Sequence, residues 1–313
     1  MSVVVVGSFI TDCVATCKRA PEAGETLVGD SYNTYLGGKG ANQAFAAKRM
    51  GANTHMVGAV GNDDFGKLFF ETLAKEGFDT SVVKVSENNS TGVSLVTVEH
   101  SGQNRICMVP GANLDYQPEE LYNIIDVFKQ ADIIVTQCEM QYSIVVELAK
   151  IAKELGKKLI LNPAPAREID DEVVSSCYIM TPNETELGII INRELVTLED
   201  YIEGAKVLLD KGCKNVIVTL GSQGSLLVNA EGHTFVPAFK VKAIDTVGAG
   251  DSFTGSLSAM IDEGRSIPES MQIATAVAAL EVQRKGAIPA MPYRDEVFKY
   301  LEEKGIKLWT TKE

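Results

Sequence analysis

The chain has 313 residues, 45% of them hydrophobic, and 29 Lys and Arg face 42 Asp and Glu for a net charge of −13. That composition suits a globular α/β protein with one large core and excludes a disordered or collagen-like chain. The acidic balance argues against nucleic acid or an anionic membrane as partner, because both need a basic footprint. Nucleotides stay open, provided that phosphate is held locally by backbone amides, a helix terminus and metal ions.

The opening MSVVVVGSFITD carries no basic leader, and no later run approaches the roughly 18 apolar residues of a membrane span. The expectation is a soluble, cytoplasmic protein, with the nucleus open if the source is eukaryotic. Val3–Val6 reads as a buried strand ended by Gly7. Residues 11–36 mix turn chemistry at Pro21, Gly24 and Gly29 with β-rich pieces such as TLVGDSYNTYL. LGGKGANQA (36–44) then enters an Ala-rich helix, and TGVSLVTVEHSGQNRICMV (91–109) reads as a hairpin turning at Gly102. Further on, apolar runs at 133–135, 159–161, 178–180, 216–220 and 226–228 alternate with amphipathic helices at 142–155 and 199–211, closed by Gly156 and Gly212. Such alternation predicts a mostly parallel sheet covered on both faces, in a single domain spanning 1–313. The two β-rich insertions, about 11–36 and 91–110, either extend that sheet or meet as a lid. The six cysteines are scattered without a C-x-x-C pair and are expected to be buried free thiols.

Four stretches carry chemistry, and all four are expected to end strands of one sheet. In DTVGAGDSF (245–253), Gly248, Ala249 and Gly250 precede a helix whose stripe is Phe253, Leu257, Met260 and Ile261. Free amides at such an end favour an anion, and Asp251 could accept a proton from an alcohol. The same residue could equally be an ordinary helix cap. In LGGKGANQA, Gly37, Gly38 and Gly40 permit unusual backbone while Lys39 and Asn42 offer compact polar contacts for a polyhydroxylated ligand. NPAPA (162–166) and TPNETE (181–186) leave strands through prolines, with Asn183 and Glu186 able to reach phosphate or hydrated Mg²⁺, while Glu184 and Glu186 could equally be solvated helix-cap charges. TLGSQG (219–224) is a turn able to take adenine or ribose against its backbone. Neither G-x-x-x-x-G-K-S/T nor G-x-G-x-x-G accompanies them in these stretches.

Together these residues resemble the ribokinase family, the PfkB-type carbohydrate kinases, over nearly the whole chain. GGKGANQA and DTVGAGDSF are its specific signatures and occur in the family's order. The resemblance implies a three-layer α/β/α core with a small β-sheet lid that also builds a homodimer. It further implies ATP-dependent phosphorylation of the O5 hydroxyl of D-ribose, with Mg²⁺ accompanying ATP and K⁺ as activator. By position, Asp251 matches the base and Gly248, Ala249 and Gly250 the anion hole. Ile10, Thr11, Asp12, Gly38, Lys39, Gly40, Ala41, Asn42 and Glu139 match the sugar site. Asn183, Thr219, Leu220, Gly221, Ser222, Gln223, Gly224 and Thr275 match the ATP site together with Gly250 and Asp251, and Asn183 and Glu186 are the Mg²⁺-associated pair. Asp245, Val247, Glu281, Arg284, Gly286 and Ala290 match the K⁺ loop, largely through carbonyls. The chain departs from the family's usual residues at Ile10 (often Asn), Ala290 (often Ser) and Thr275 (usually His or Asn). An isoleucine cannot pair with a sugar hydroxyl, so Ile10 raises 2-deoxyribose or another pentose as alternative substrate, and a sugar-binding regulator is the non-enzymatic alternative.

Overall fold

In the computed structural model, which describes residues 2–309, the chain builds a nine-stranded sheet and a separate four-stranded sheet. Met1 and residues 310–313, the ends of the expected domain, lie outside the described residues. Strand β1 (Val3–Val6) passes through Gly7, Ser8 and Phe9 into β2 (Ile10–Cys17), followed by β3 (Ser31–Gly37) and α1 (Lys39–Arg49). Next come β4 (Thr54–Gly61), α2 (Asp64–Lys75), β5 (Val83–Ser86), β6 (Gly92–Glu99) and β7 (Asn104–Val109). The central part holds α3 (Ile125–Gln130), β8 (Ile133–Gln137), α4 (Tyr142–Leu155), β9 (Lys158–Asn162), α5 (Asp171–Ser176) and β10 (Cys177–Met180). The last third adds α6 (Glu184–Ile190), α7 (Leu198–Asp210), β11 (Asn215–Thr219), β12 (Gly224–Asn229), β13 (Gly232–Pro237), α8 (Ala249–Asp262), α9 (Ile267–Glu281) and α10 (Arg294–Glu303).

The large sheet has the order β13-β12-β11-β10-β9-β8-β1-β4-β5, parallel from β11 to β5 and antiparallel at β12 and β13. Strand β1 is apolar at every position, and so are 133–135 of β8 and 159–161 of β9, because both faces are covered; polar Gln137 and Asn162 stand at the strand ends. Val4 and Val6 join a core with α4, α5 and α7, whereas Val3 and Val5 join one with α1, α2, α8 and α9. This is a three-layer arrangement. Helix α4 ends at Gly156, which takes the left-handed conformation (φ 63°) that its position at the end of the pattern predicts.

The small sheet has the order β3-β2-β6-β7. The two β-rich insertions therefore pair with each other, β2 running parallel to β6. The piece 26–30 is not strand, although its composition suggests one. The last pair of β2 with β3 is Thr16 with Ser31, Asp30 N adds one bond to the Thr16 carbonyl, and beyond it the chain leaves the sheet, with Val28 92% exposed.

Helices α1 and α8 touch backbone to side chain. Gly255 faces α1 so closely that a Cβ there would meet the Gln43 carbonyl oxygen at 2.2 Å and the Ala46 Cβ at 2.8 Å. Substituting Gly255→Ala must push the helices apart, and urea denaturation should register a loss of about 1–3 kcal/mol. A variant as stable as the wild type would mean that the crossing tolerates separation.

Candidate active site

Helix α8 begins from Gly248, a cap residue with φ 90° and no side chain to satisfy the first amides. A Cβ at Gly248 would lie 2.6 Å from Glu281 Oε1 and 2.9 Å from the Ala287 Cβ, so glycine is required by conformation and by space. At Gly250 nothing lies within 4 Å of where a Cβ would be, which leaves this turn open to a ligand. Free amides and the helix dipole together favour an anion at such an end. Asp251 is the third residue of the helix and does not cap it. Its carboxylate, in a residue only 6% exposed, accepts from Asn42 Nδ2 and from Gln43 Nε2, each at 3.0 Å.

The glycines of GGKGANQA seat α1 against the end of β1. A Cβ at Gly38 (φ 91°) would come within 2.7 Å of the Ile10 nitrogen, and one at Gly40 within 2.4 Å of the Gly7 carbonyl carbon. Ala41 N donates to the Ser8 carbonyl at 3.0 Å. Glu139, just past β8, accepts from Ser8 Oγ at 2.5 Å and from the Lys39 amide at 2.9 Å, and burial raises its carboxyl above the usual range. Lys39 is held above its ordinary value by Asp251 first, with Glu139 and Glu186 adding to the effect. Asp12 is raised to about 6, chiefly by burial, with Ser94 opposing through a hydrogen bond and Glu139, Asp245 and Asp251 adding charge. Ile10 is buried, and so are the Thr11 Oγ1 and Asn42 Oδ1 atoms, neither of which has a partner among the described residues. Asn42 Oδ1, on the side chain that donates to Asp251, is a free polar atom for a hydroxylated ligand to meet, whereas Thr11 lies on the face of the small sheet opposite Asp12.

On the other side, β10 and β11 end together: Thr219 N donates to the Pro182 carbonyl at 2.9 Å and Asn183 bridges to Thr219. Asn183 caps α6, its Oδ1 accepting from Glu186 N at 2.8 Å while Glu186 Oε2 accepts from Asn183 N at 2.9 Å. Glu186 is thus a helix-cap carboxylate, with Asn183 as its unexpected capping partner, and it still lies close enough to feel Lys39 and Asp251. Leu220 is buried, Gly221, Ser222 and Gln223 make one 3₁₀ turn, and Gly224 (φ 129°) starts β12. Thr275 on α9 turns its hydroxyl back to the Met271 carbonyl at 2.7 Å, which leaves that O–H to its own helix.

The segment 245–248 is tied to the loop after α9. Asp245 accepts from Val247 N at 3.1 Å and from Gly286 N at 3.0 Å, and Val247 is half exposed. Arg284 donates to the Ala290 carbonyl at 3.3 Å and pairs with Glu296. Glu281 is 1% exposed, accepts from Ser252 Oγ at 2.5 Å through one oxygen, and has no partner for the other among the described residues.

The structure therefore brings Asp251, Asn42, Lys39, Glu139, Asp12 and Glu186 into one electrostatic neighbourhood. It corrects one expectation. Only the 162–166, 181–186 and 219–224 stretches follow strands of the large sheet; GGKGANQA follows β3 of the small sheet, and DTVGAGDSF follows an irregular segment after β13. Parallel strands deliver their ends to one side, but the helices α1 and α8 complete the site by packing across that side. Sequence reasoning missed Ser8, Gln43, Gln137, Asn162, Ser252 and Tyr35. Gln43 and Asn162 stand inside stretches already singled out, but nothing in the sequence says that their amides meet.

The family model of pfkB family carbohydrate kinases matches residues 1–294, and the chain belongs to that family. It is 38% identical to the ribokinase of Schizosaccharomyces pombe, over 95% of this chain and 96% of that one. It is 34% identical to a deoxyribokinase of Salmonella typhi, over 96% and 99%. The structure of Arabidopsis thaliana ribokinase complexed with ribose and ATP superposes with a TM-score of 0.92 at 35% identity, covering 96% of this chain and 98% of the other.

Burial pushes Glu281 up from 4.5 to about 9, Ser252 opposing and Asp251 and Asp245 adding to the rise. The folded protein then keeps a proton that the unfolded chain releases, so stability falls as pH rises between those values. The Glu281→Gln variant should lose that slope and, in urea denaturation at pH 8, exceed the wild type by about 2 kcal/mol or more. The gap should close toward pH 5; parallel pH profiles would count against a buried neutral acid.

Proposed function

We propose that this chain is an ATP-dependent kinase that transfers a phosphoryl group to the O5 hydroxyl of D-ribose, yielding D-ribose 5-phosphate and ADP. The observation that carries the reading is Asp251: a carboxylate fixed by two amides beside an uncapped, sterically open helix N-terminus. Asp251 orients the O5 hydroxyl and accepts its proton late in an in-line transfer. Gly248, Ala249 and Gly250 present the helix amides to the charge that builds on the transferring phosphoryl group. The unpartnered Asn42 Oδ1, with Asp12, Gly38, Lys39 and Glu139, holds sugar hydroxyls, while Asn183 and the Thr219–Gly224 turn hold the nucleotide.

Mg²⁺ comes with ATP and supplies charge neutralisation on its phosphates. Glu186 suits it through water, since one carboxylate oxygen is engaged in the helix cap and Mg²⁺ keeps much of its hydration. For K⁺, the Asp245 carboxylate joins the two segments of the loop, which supports a shared carbonyl cradle at Val247, Glu281, Gly286 and Arg284; the Ala290 carbonyl already accepts from Arg284. The small sheet reads as a lid. Tyr35, Asp12, Ser94 and Met108 stand in register across its four strands and share a face, and Asp12 feels Asp251 and Glu139. The opposite face exposes Tyr32, Leu95 and Val109, which supports the homodimer; Leu95→Glu should then shift sedimentation from dimer to monomer.

A second reading, a 2-deoxyribose kinase, draws on buried Ile10 and on the deoxyribokinase relative. A coupled ADP-release assay with ribose, 2-deoxyribose, fructose and adenosine, with and without K⁺, separates them. Ribose should be turned over fastest; equal or faster turnover of 2-deoxyribose overturns the ribose assignment. Ribose binding without turnover on any sugar would indicate a regulator. Asp251→Asn should melt like the wild type yet lose about 10²–10⁴-fold in kcat, and a near-normal rate would remove Asp251 as base.

A further inference from the structure

Behind Asp251 lies a run of buried amides that reaches the site only through the Asp251 carboxylate. Gln43 Nε2 donates to Asp251 Oδ1 at 3.0 Å and to Asn162 Oδ1 at 3.1 Å. Gln43 Oε1 accepts from Gln137 Nε2 at 2.7 Å, and Asn162 Nδ2 donates to the Thr181 carbonyl at 2.9 Å. Gln43 is fully buried, and Gln137 and Asn162 are nearly so.

The direction of this chain is forced by its ends. A carboxylate and a backbone carbonyl only accept, so Asn162 must turn its NH₂ to Thr181 and its oxygen to Gln43. Gln43 must then spend both N–H groups, one on Asp251 and one on Asn162. Its oxygen is left with a single use, to accept from Gln137. Were the Gln43 amide turned over, an oxygen would face the Asp251 carboxylate and a second would face the Asn162 oxygen. The Gln137 donor holds it against that reversal.

Asn42 differs from its neighbour. It also donates to Asp251, but its Oδ1 has no partner among the described residues, so it is shared between Asp251 and a ligand. Gln43 has every polar atom committed inside the protein.

We propose that Gln43 is a positioning residue for the phosphoryl-transfer step: it fixes the plane of the Asp251 carboxylate from behind, and Gln137 fixes Gln43. The proposal rests on the kinase reading above. Its effect falls on the rate of the step and not on sugar affinity, because Gln43 reaches the reacting hydroxyl only through Asp251.

The full-length Gln43→Met variant keeps the side-chain volume and removes the donor. With ribose and ATP it should lose about 10- to 100-fold in kcat, with KM for ribose within about threefold of the wild type. The acid limb of its kcat–pH profile should move to higher pH, because a carboxylate that loses a donor is protonated more readily. Gln137→Met, which touches Gln43 and not Asp251, should show a smaller loss with the same split. The double variant should be no slower than Gln43→Met alone, as expected of residues acting in series. A lower melting temperature with unchanged kcat and pH profile would reduce Gln43 to a packing role, and a raised KM at normal kcat would make it a sugar contact; either overturns the proposal. Should Gln43→Met fail to fold, Gln137→Met decides by the same readouts, a wild-type profile overturning the proposal. Absence of pentose turnover by the wild type would instead sink the kinase reading itself.

Discussion

A carboxylate that can only accept hydrogen bonds, placed where two helices cross and water is nearly excluded, dictates what surrounds it. Asp251 is met by Asn42 and Gln43, and both come from α1. They reach it because Gly255 lets α1 approach α8, and because Gly40 lets α1 lie against the carbonyl carbon of Gly7. Gly40 of GGKGANQA and Gly255, two residues past DTVGAGDSF, thus set the approach of the two helices. They bring a helix that follows the small sheet and a helix that follows the last edge strand to one point.

The acidic character of the chain takes a particular form at this point. Asp12, Glu139, Glu186 and Glu281 are all raised by burial, and Lys39 lies in the field of Asp251, Glu139 and Glu186. A site that admits phosphate among so many acids needs compensation, and the uncapped amides of α8 supply part of it. Glu281, raised to about 9 by burial behind the helix start, adds no negative charge there at neutral pH.

Much of the frame was legible in the sequence. The runs Val3–Val6 and 142–155 declared themselves because full burial and helical periodicity leave little ambiguity, and Gly156 marked the end of α4 through its positive φ. The start of α8 was legible through the spacing of its apolar stripe, which by itself left Asp251 as either a helix cap or a proton acceptor. What was not legible depended on contacts between distant segments. The pairing of Ile10 with Gly92 sets two insertions side by side across a long stretch of intervening chain. Gln43, Gln137 and Asn162 come from a helix and two strands, and each alone reads as an ordinary polar residue. Thr275 could not be read either, since only the structure shows its hydroxyl turned to its own helix.

Strands β1 and β2 are separated by Gly7, Ser8 and Phe9 alone, yet one runs inside the large sheet between β8 and β4 and the other belongs to the small one. The passage is pinned on both edges of the backbone: Phe9 N donates to Asn113 Oδ1 at 2.9 Å, and Asn113 Nδ2 donates to the Phe9 carbonyl at 2.8 Å. Ser8 within it accepts from Ala41 and donates to Glu139. The small sheet is therefore rooted like a cantilever in an interior strand of the large one. Its root at Ser8 and Phe9 is held by Asn113, Ala41 and Glu139, so bending of the small sheet is left to the far ends of its strands.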